Sequence, residues 1–312
     1  MYRLVKTVLR AFLMAAILVS SLAFQPGNAP STLPTRFPDA PRIVAFGDVH
    51  GDLDVTRRAL RLAGAIDKHD RWIGGNLVVV QTGDQIDRGD HEQEILDLLV
   101  RLAKEAAEAG GALHVLNGNH ELMNAEFDFR YVTPKGFADF KDAVTKDAID
   151  SVPDSVPKAE RARVAAFRPG GVYARVLGER NSIVIIGPNV FVHGGLLPSH
   201  VDYGIERFNS DVRSWLDGEA QRPDLVDSRS GPTWLRLYSE NPDTAACDSL
   251  GVVLVRLHAR RMIVGHTVQE SGITPFCDGR VWCIDTGLSV YYGGKLQVLE
   301  IVGDSVRVLT GK

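Results

Sequence analysis

Cysteine is scarce: the 312-residue chain holds three, Cys247, Cys277 and Cys283. None has metal-ligand spacing, so none is given a metal or catalytic role, and an odd count leaves at least one thiol unpaired within the chain. Cys277 and Cys283 flank Asp278-Gly279, a two-residue hairpin signal. In that register Cys277 faces Arg280 and Cys283 faces Thr274. A bridge between those two cysteines is therefore disfavoured, while Cys247 with one of them remains open. An excess of basic residues is missing as well. The net charge of −4 gives no reason to expect a nucleic-acid partner. There is no internal repeat and no low-complexity segment.

A long apolar run is also lacking. Ala11–Phe24 has 14 residues, right for a secretory h-region and short for a membrane span. Arg3, Lys6 and Arg10 precede it as a positive n-region. Residues 1–29 are thus expected to be a signal peptide, cut after Ala23 or Ala29; the second site has Pro30 directly after it, a poor context. Retention as an N-terminal anchor is the alternative. The expected product is periplasmic or secreted, with no stable membrane insertion after processing.

What is present is 45% apolar residues, enough for a full core. A Pro-rich linker over residues 30–41 leads into one large α/β domain, residues 42–312. Arg42–Phe46 reads as a strand. Leu53–Ala63 reads as a helix with Val55, Ala59, Leu62 and Ala63 on one face, capped by Asp52 or Asp54 and stopped by Gly64. Leu77–Thr82 is the second strand. Asp90 with Gln93 resembles a capping box opening a helix that carries Ile95, Leu98, Leu99, Leu102 and Ala106. Gly110-Gly111 ends that helix, and Ala112–Leu116 is the third strand. This alternation predicts a parallel sheet with helices outside it.

Leu122–Gly170, with four prolines and charge-rich helical pieces, reads as a helical excursion over one face. Strands are expected again at Val172–Leu177, Ser182–Ile186 and Val190–His193. Helices follow at Gly204–Leu216 and Leu250–Ala259. The last strands, Met262–Gly265, Val281–Ile284, Lys295–Ile301 and Val306–Leu309, are expected in a second sheet packed on the first.

The chain is organised around Gly83–Gly89, G-D-Q-I-D-R-G, in the loop at the carboxyl end of the second strand. Open α/β sheets place their ligands there. Asp84 can offer two oxygens to two cations, Asp87 can orient an imidazole, and Arg88 can grip a phosphate with a planar fork of donors. Alone, this would be a polar loop with a surface ion pair. Its company changes that reading: G-D-V-H-G at Gly47–Gly51, G-N-H-E at Gly118–Glu121, H-G-G-L from His193, and G-H-T from Gly265 each follow an apolar run. Strand ends thus present Asp48, His50, Asp84, Asn119, His120, His193 and His266 beside glycines. Nitrogen and oxygen donors without sulfur suit Mn, Fe or Zn.

As an ordered set, these motifs resemble the signature series of the phosphoprotein phosphatase branch of calcineurin-like metallophosphoesterases. They span residues 47–267. Gly231-Pro232-Thr233-Trp234-Leu235-Arg236 is similar to its bacterial subgroup, the Shewanella-like protein phosphatases. The resemblance implies a four-layer α-β-β-α sandwich of two packed mixed sheets. It implies one metal held by Asp48, His50 and Asp84, and a second by Asp84, Asn119, His193 and His266. Two cations roughly 3.5–4 Å apart can share a hydroxide, lower its pKa and clamp phosphate oxygens for in-line attack. His120 is then the general acid, oriented by Asp87. Arg88 and Arg236 bind the remaining phosphate oxygens, and Asn119 contacts substrate as well; Arg236 reads equally as a structural ion-pair residue.

Glu121 is expected to anchor its loop by hydrogen bonds. Asp285 is expected either behind His266 or as a strand-end cap. His114 is taken as packing or support, and His69, His91, His200 and His258 as surface or structural. Two departures bear on substrate. Ile284-Asp285-Thr286-Gly287-Leu288-Ser289 stands where eukaryotic Ser/Thr phosphatases carry S-A-P-N-Y-C, and the stretch between Glu121 and His193 is expanded. With the subgroup resemblance, these lean toward phosphotyrosine in a phosphoprotein or phosphopeptide. Two rivals remain: a dinucleoside polyphosphate hydrolase or nucleotidase on the same fold, and a non-catalytic phosphoprotein-binding relative.

Overall fold

The computed structural model describes residues 33–311. The expected signal peptide lies outside them. Among the described residues, eleven strands form two sheets. They are β1 (Arg36–Phe37), β2 (Ile43–Phe46), β3 (Val78–Gln81), β4 (Ala112–Val115), β5 (Ile183–Ile186), β6 (Asn189–Val192), β7 (Arg261–Val264), β8 (Thr274–Phe276), β9 (Val281–Cys283), β10 (Gln297–Val302) and β11 (Ser305–Thr310). One sheet runs β11-β10-β2-β3-β4 and the other β1-β5-β6-β7-β9-β8. Within them β2, β3 and β4 are parallel, as are β6, β7 and β9. The carboxyl ends of β2, β3, β4, β6 and β7 carry G-D-V-H-G, G-D-Q-I-D-R-G, G-N-H-E, H-G-G-L and G-H-T in that order.

The residues of β2, β5, β6 and β7 are buried on both faces, which is why these strands read as continuous apolar runs rather than alternations. Ile43, Ala45, Val80, Val184, Phe191 and Ile263 meet between the sheets. The outer face of the first sheet, with Val44, Phe46 and Val79, packs on α1 (Leu53–Ala63) and α2 (Glu92–Glu108). The outer face of the second, with Ile183, Val190 and Met262, packs on helices that include Arg161–Phe167, Val172–Gly178, Ile205–Leu216 and Thr244–Leu257. These packings make the four layers α-β-β-α.

Asp52 caps α1 by accepting from the Val55 N–H, and Gly64 ends it at φ 76°. Several expectations need correction. Val172–Gly178 is a helix, not a strand. Tyr173, Ala174 and Leu177 are its buried face while Val172 is exposed, a helical spacing that the short apolar run V-Y-A-R-V-L disguised. Strands β10 and β11 join the first sheet rather than the second: β10 pairs antiparallel with β2, and β11 antiparallel with β10. Asp90 caps nothing: it accepts from the Thr133 hydroxyl, and the Gln93 N–H is met by Asp139 from the insert. Part of the expected linker, Arg36–Phe37, pairs with β5. The last long helix starts at Thr244, earlier than expected, because Asp243 caps it.

The insert consists of short helices, Gly136–Asp139, Lys146–Asp150 and Arg161–Phe167, following α3 (Asn119–Ala125). Cys247 and Cys277 form a disulfide and Cys283 is a buried free thiol. Thr274 lies opposite Cys283, the register anticipated for that hairpin.

Candidate active site

The strands set the positions of the site residues, and the turns after them set their directions. His50, Asp84, Asp87, Arg88 and His266 all have φ between 42° and 67°. That left-handed conformation costs a side-chain-bearing residue energy, and it persists only where surroundings impose it. Glycines provide the remaining room. A Cβ on Gly265 would stand 2.5 Å from Asp48 Oδ1, and one on Gly118 would collide with Asp84 Oδ1. The backbone is thus pressed against both carboxylates.

Glu121 fixes the central loop. Its carboxylate accepts from the N–H groups of Asp84 (2.8 Å), Gln85 (2.8 Å) and Gly118 (2.7 Å), the anchoring role expected of it. Asp285 accepts from the Gly287 N–H, the capping alternative.

The six expected metal ligands converge. His193 Nδ1 donates to the Thr82 carbonyl at 2.9 Å, so Nε2 turns toward Asp84 Oδ2 at 3.2 Å and Asn119 Oδ1 at 2.9 Å. His50 Nδ1 donates to the Ile86 carbonyl at 3.1 Å, leaving Nε2 3.8 Å from Asp84 Oδ2 and 4.0 Å from Asp48 Oδ2. Anchoring one ring nitrogen on a carbonyl while the other faces acceptors is how proteins orient metal-binding imidazoles. His266 Nε2 is buried without a hydrogen-bond partner. Asp84 with His50 and His120, and Asp84 with His193 and His266, form two donor groups compact enough for a cation. Lone pairs that face one another in a buried pocket repel unless a positive charge lies between them, so the donor set fits two metal ions sharing Asp84.

The electrostatics agree. Burial pushes the Asp48 carboxyl well up, and the nearby Asp285 and Asp84 add to this. Burial also raises Asp84, but the imidazoles of His193, His120 and His50 outweigh it and hold Asp84 well below the usual range. His50 is pushed down to about 3 by burial first and His120 second. His266 is pushed down by burial, then by His193 and Arg236. Neutral imidazoles with free lone pairs are the form that binds a cation.

His120 lies in the first turn of α3 rather than in a loop. Its Nδ1 is 2.6 Å from Asp87 Oδ2, the pairing expected, and its Nε2 is 3.7 Å from Asp84 Oδ2. Burial opposes its charge, but Asp84 and Asp87 prevail and raise its pKa. Arg88 Nη1 lies 2.6 Å from His50 Nε2, and its guanidinium sits 4.8 Å from the Tyr131 ring centre and 5.3 Å from that of Tyr292. Arg236 lines the same cavity while Nη1 donates to the His266 carbonyl and the Thr267 hydroxyl. Its Nε lies 4.0 Å from Glu240 Oε1, the structural ion pair considered for it.

Some residues were not anticipated. Arg163, fully buried in the insert, donates to Asp87 Oδ1 (3.1 Å), Glu92 (2.5 Å) and Asn124 (2.7 Å). Asn124 also donates to Asp87. The only sequence signal was an arginine inside the apolar run A-R-V-A-A-F. Tyr131, Trp234 and Tyr292 ring the roughly 60 Å³ cavity over Asp84, His120 and Arg88. A broader cleft of about 540 Å³ adjoins it, shares Tyr131, Trp234 and Arg236, and mixes Arg130 and Arg229 with Glu126, Asp128 and Asp227.

Residues 41–270 match the family model described as calcineurin-like phosphoesterase. The chain is a calcineurin-like phosphoesterase. It is 40% identical to Shewanella-like protein phosphatase 2 of Arabidopsis thaliana, over 91% of this chain and 81% of that one. It is 31% identical to Shewanella-like protein phosphatase 1 of Plasmodium berghei, over 87% and 75%. The crystal structure of a cold-active protein-tyrosine phosphatase of a psychrophile Shewanella sp. superposes with a TM-score of 0.70 at 25% identity, over 89% of this chain and 83% of that one. Family and relatives together make this phosphoesterase a phosphatase. No helix among the described residues is long and apolar enough to cross a membrane.

Proposed function

We propose that this phosphoesterase is a protein phosphatase that favours phosphotyrosine over phosphoserine and phosphothreonine. Asp48, His50, Asp84, Asn119, His193 and His266 would hold two ions of Mn, Fe or Zn. Such ions, when bound, lower the pKa of water and neutralise phosphate oxygens.

The observation that carries the reading is the His120–Asp87 pair poised over Asp84. With Nδ1 tied to Asp87 and its pKa raised, His120 keeps a proton on Nε2 to give to the departing phenoxide oxygen. Arg88 and Arg236 are the guanidinium groups lining the cavity that can take phosphate oxygens. Asn119 lies beside them. The ring of Tyr131, Trp234 and Tyr292 supports phosphotyrosine. Flat aromatic faces gain from an aromatic leaving group and gain little from the single methylene of phosphoserine.

We further propose that the protein is exported to the periplasm or secreted. The charged and apolar pattern of the first 29 residues and the Cys247–Cys277 disulfide both support this. Fractionation of cells would check it: a processed product in the membrane-free exported fraction is expected, and full-length protein in the cytosol would contradict it.

The substrate reading is tested by comparing kcat/KM for a phosphotyrosine peptide, its phosphoserine counterpart and diadenosine tetraphosphate, with Mn²⁺ present. The phosphotyrosine peptide should lead by at least about tenfold, equivalent to ~1.4 kcal/mol in the transition state. Preference for diadenosine tetraphosphate would transfer the site to the nucleotide-hydrolase reading.

A further inference from the structure

Beside the phosphate cavity, the cleft of about 540 Å³ is the room a bound phosphopeptide has for its chain. Tyr131, Trp234 and Arg236 line both. A phosphate seated on Arg88 and Arg236 therefore leaves the flanking residues of the peptide over the cleft. Most of the cleft's charges are already paired. Arg130 grips both oxygens of Asp128, at 2.9 and 2.5 Å. Glu126 and Asp227 are both held by Arg222 Nη1, the second at 3.3 Å. Arg236 is the guanidinium shared with the phosphate cavity.

Arg229 is left over. It lines the cleft and is exposed. Among the described residues its side chain has no hydrogen-bond or ion-pair partner. The turn that carries it is nevertheless fixed. The Gly231 N–H donates to the Ser228 carbonyl at 2.7 Å, and the Ser228 and Ser230 hydroxyls lie 2.8 Å apart. The Trp234 indole N–H donates to the Val226 carbonyl at 3.0 Å, which ties this turn to a wall of the phosphate cavity. With Arg222 counted, four guanidinium groups meet three carboxylates here. The local excess is positive on a chain whose net charge is −4.

Resting on the protein-phosphatase reading above, we infer that Arg229 is a specificity residue that takes an acidic side chain close to the phosphotyrosine in the substrate sequence. A guanidinium and a carboxylate pair through two parallel N–H···O bonds. The carboxylates already in the cleft do not compete, since Arg130 and Arg222 hold them. Arg229 is exposed, so the pair is screened and modest in strength. It forms alike with bound substrate and in the transition state, and so acts on KM rather than kcat.

The test is a set of phosphotyrosine peptides, neutral except for one glutamate walked along either side of the phosphotyrosine. Each is matched by its glutamine counterpart and turned over by the full protein with Mn²⁺ present. At its best position glutamate should raise kcat/KM about three- to fivefold over glutamine, the worth of an exposed ion pair, and the gain should lie in KM. Raising the salt should shrink it. Arg229→Glu should invert the ratio, while Arg130→Gln should keep it. Reading the ratio within each variant cancels any change in folded fraction. Should Arg229→Glu give no folded protein, Arg229→Gln replaces it and should bring the ratio to about one. The neutral peptide in its phosphotyrosine and phosphoserine forms judges the tyrosine preference separately from the glutamate ratio. Turnover of p-nitrophenyl phosphate and of no peptide would overturn both. A ratio near one at every position, a gain in kcat alone, a gain indifferent to salt, loss with Arg130→Gln, or survival in Arg229→Glu would overturn the role of Arg229 alone.

Discussion

Arg163 shows how much of a catalytic arrangement rests on a residue that never meets substrate. Asp87 holds His120, and Arg163 with Asn124 holds Asp87. Asp87→Asn removes the carboxylate that keeps His120 protonated, and kcat should fall by about 10²–10⁴, the worth of a general acid. Arg163→Met leaves that carboxylate in place but free to turn. A fall in kcat on the order of 10- to 100-fold is expected, as for lost supporting groups, with KM little changed and partial rescue by Arg163→Lys. Equal loss in the methionine and lysine variants would reduce Arg163 to a folding residue.

Its other partner yields a pH prediction. Burial pushes Glu92 from 4.5 up to about 7, against the opposing pull of Arg163. Between those values the folded chain binds more protons at this site than the unfolded chain does. Stability from this group is therefore lost as pH rises across that window. Glu92→Gln should remove its share of the slope in urea unfolding measured from about pH 4.5 to 7. An unchanged slope would mean that other carboxyls carry it.

At the level of elements, the motif loops were readable because each charged residue stands at a fixed step after an apolar strand, beside a glycine. Asp48, Asp84, Asn119, His193 and His266 needed no tertiary information beyond that order. Val172–Gly178 was misread because seven apolar-rich residues fit either period, and only packing of Tyr173 and Leu177 decides. The sheet of β10 and β11 was misassigned because strand partners are a long-range choice; no local pattern says which of two stacked sheets a late strand joins. Arg163 was missed for a related reason, since its partners lie 27 to 76 residues away. The disulfide ties the helix Thr244–Leu257 to the β8–β9 hairpin across a sequence separation of 30. Cys247→Ser with Cys277→Ser should cost about 3–4 kcal/mol by the loop-closure argument. Urea midpoints identical to wild type would show that the reduced chain is equally constrained.

For the molecule as a whole, the decisive feature is that two sheets stack with the carboxyl ends of β2, β3 and β4 beside those of β6 and β7. That meeting brings Asp48, His50, Asp84 and Asn119 from one sheet to His193 and His266 from the other. The first sheet supplies Asp48, His50 and Asp84 by itself, but the second donor group needs His193 and His266 from the other sheet, so a two-ion site requires intact sheet-on-sheet packing. The central claim is that these residues bind a pair of metal ions on which turnover depends. Metal analysis by mass spectrometry, run alongside hydrolysis of p-nitrophenyl phosphate, tests it most directly. Wild-type protein should carry about two ions per chain, and Asp84→Asn should lose both metal and turnover. Wild-type protein stripped of metal by a thorough chelator yet fully active would contradict the account.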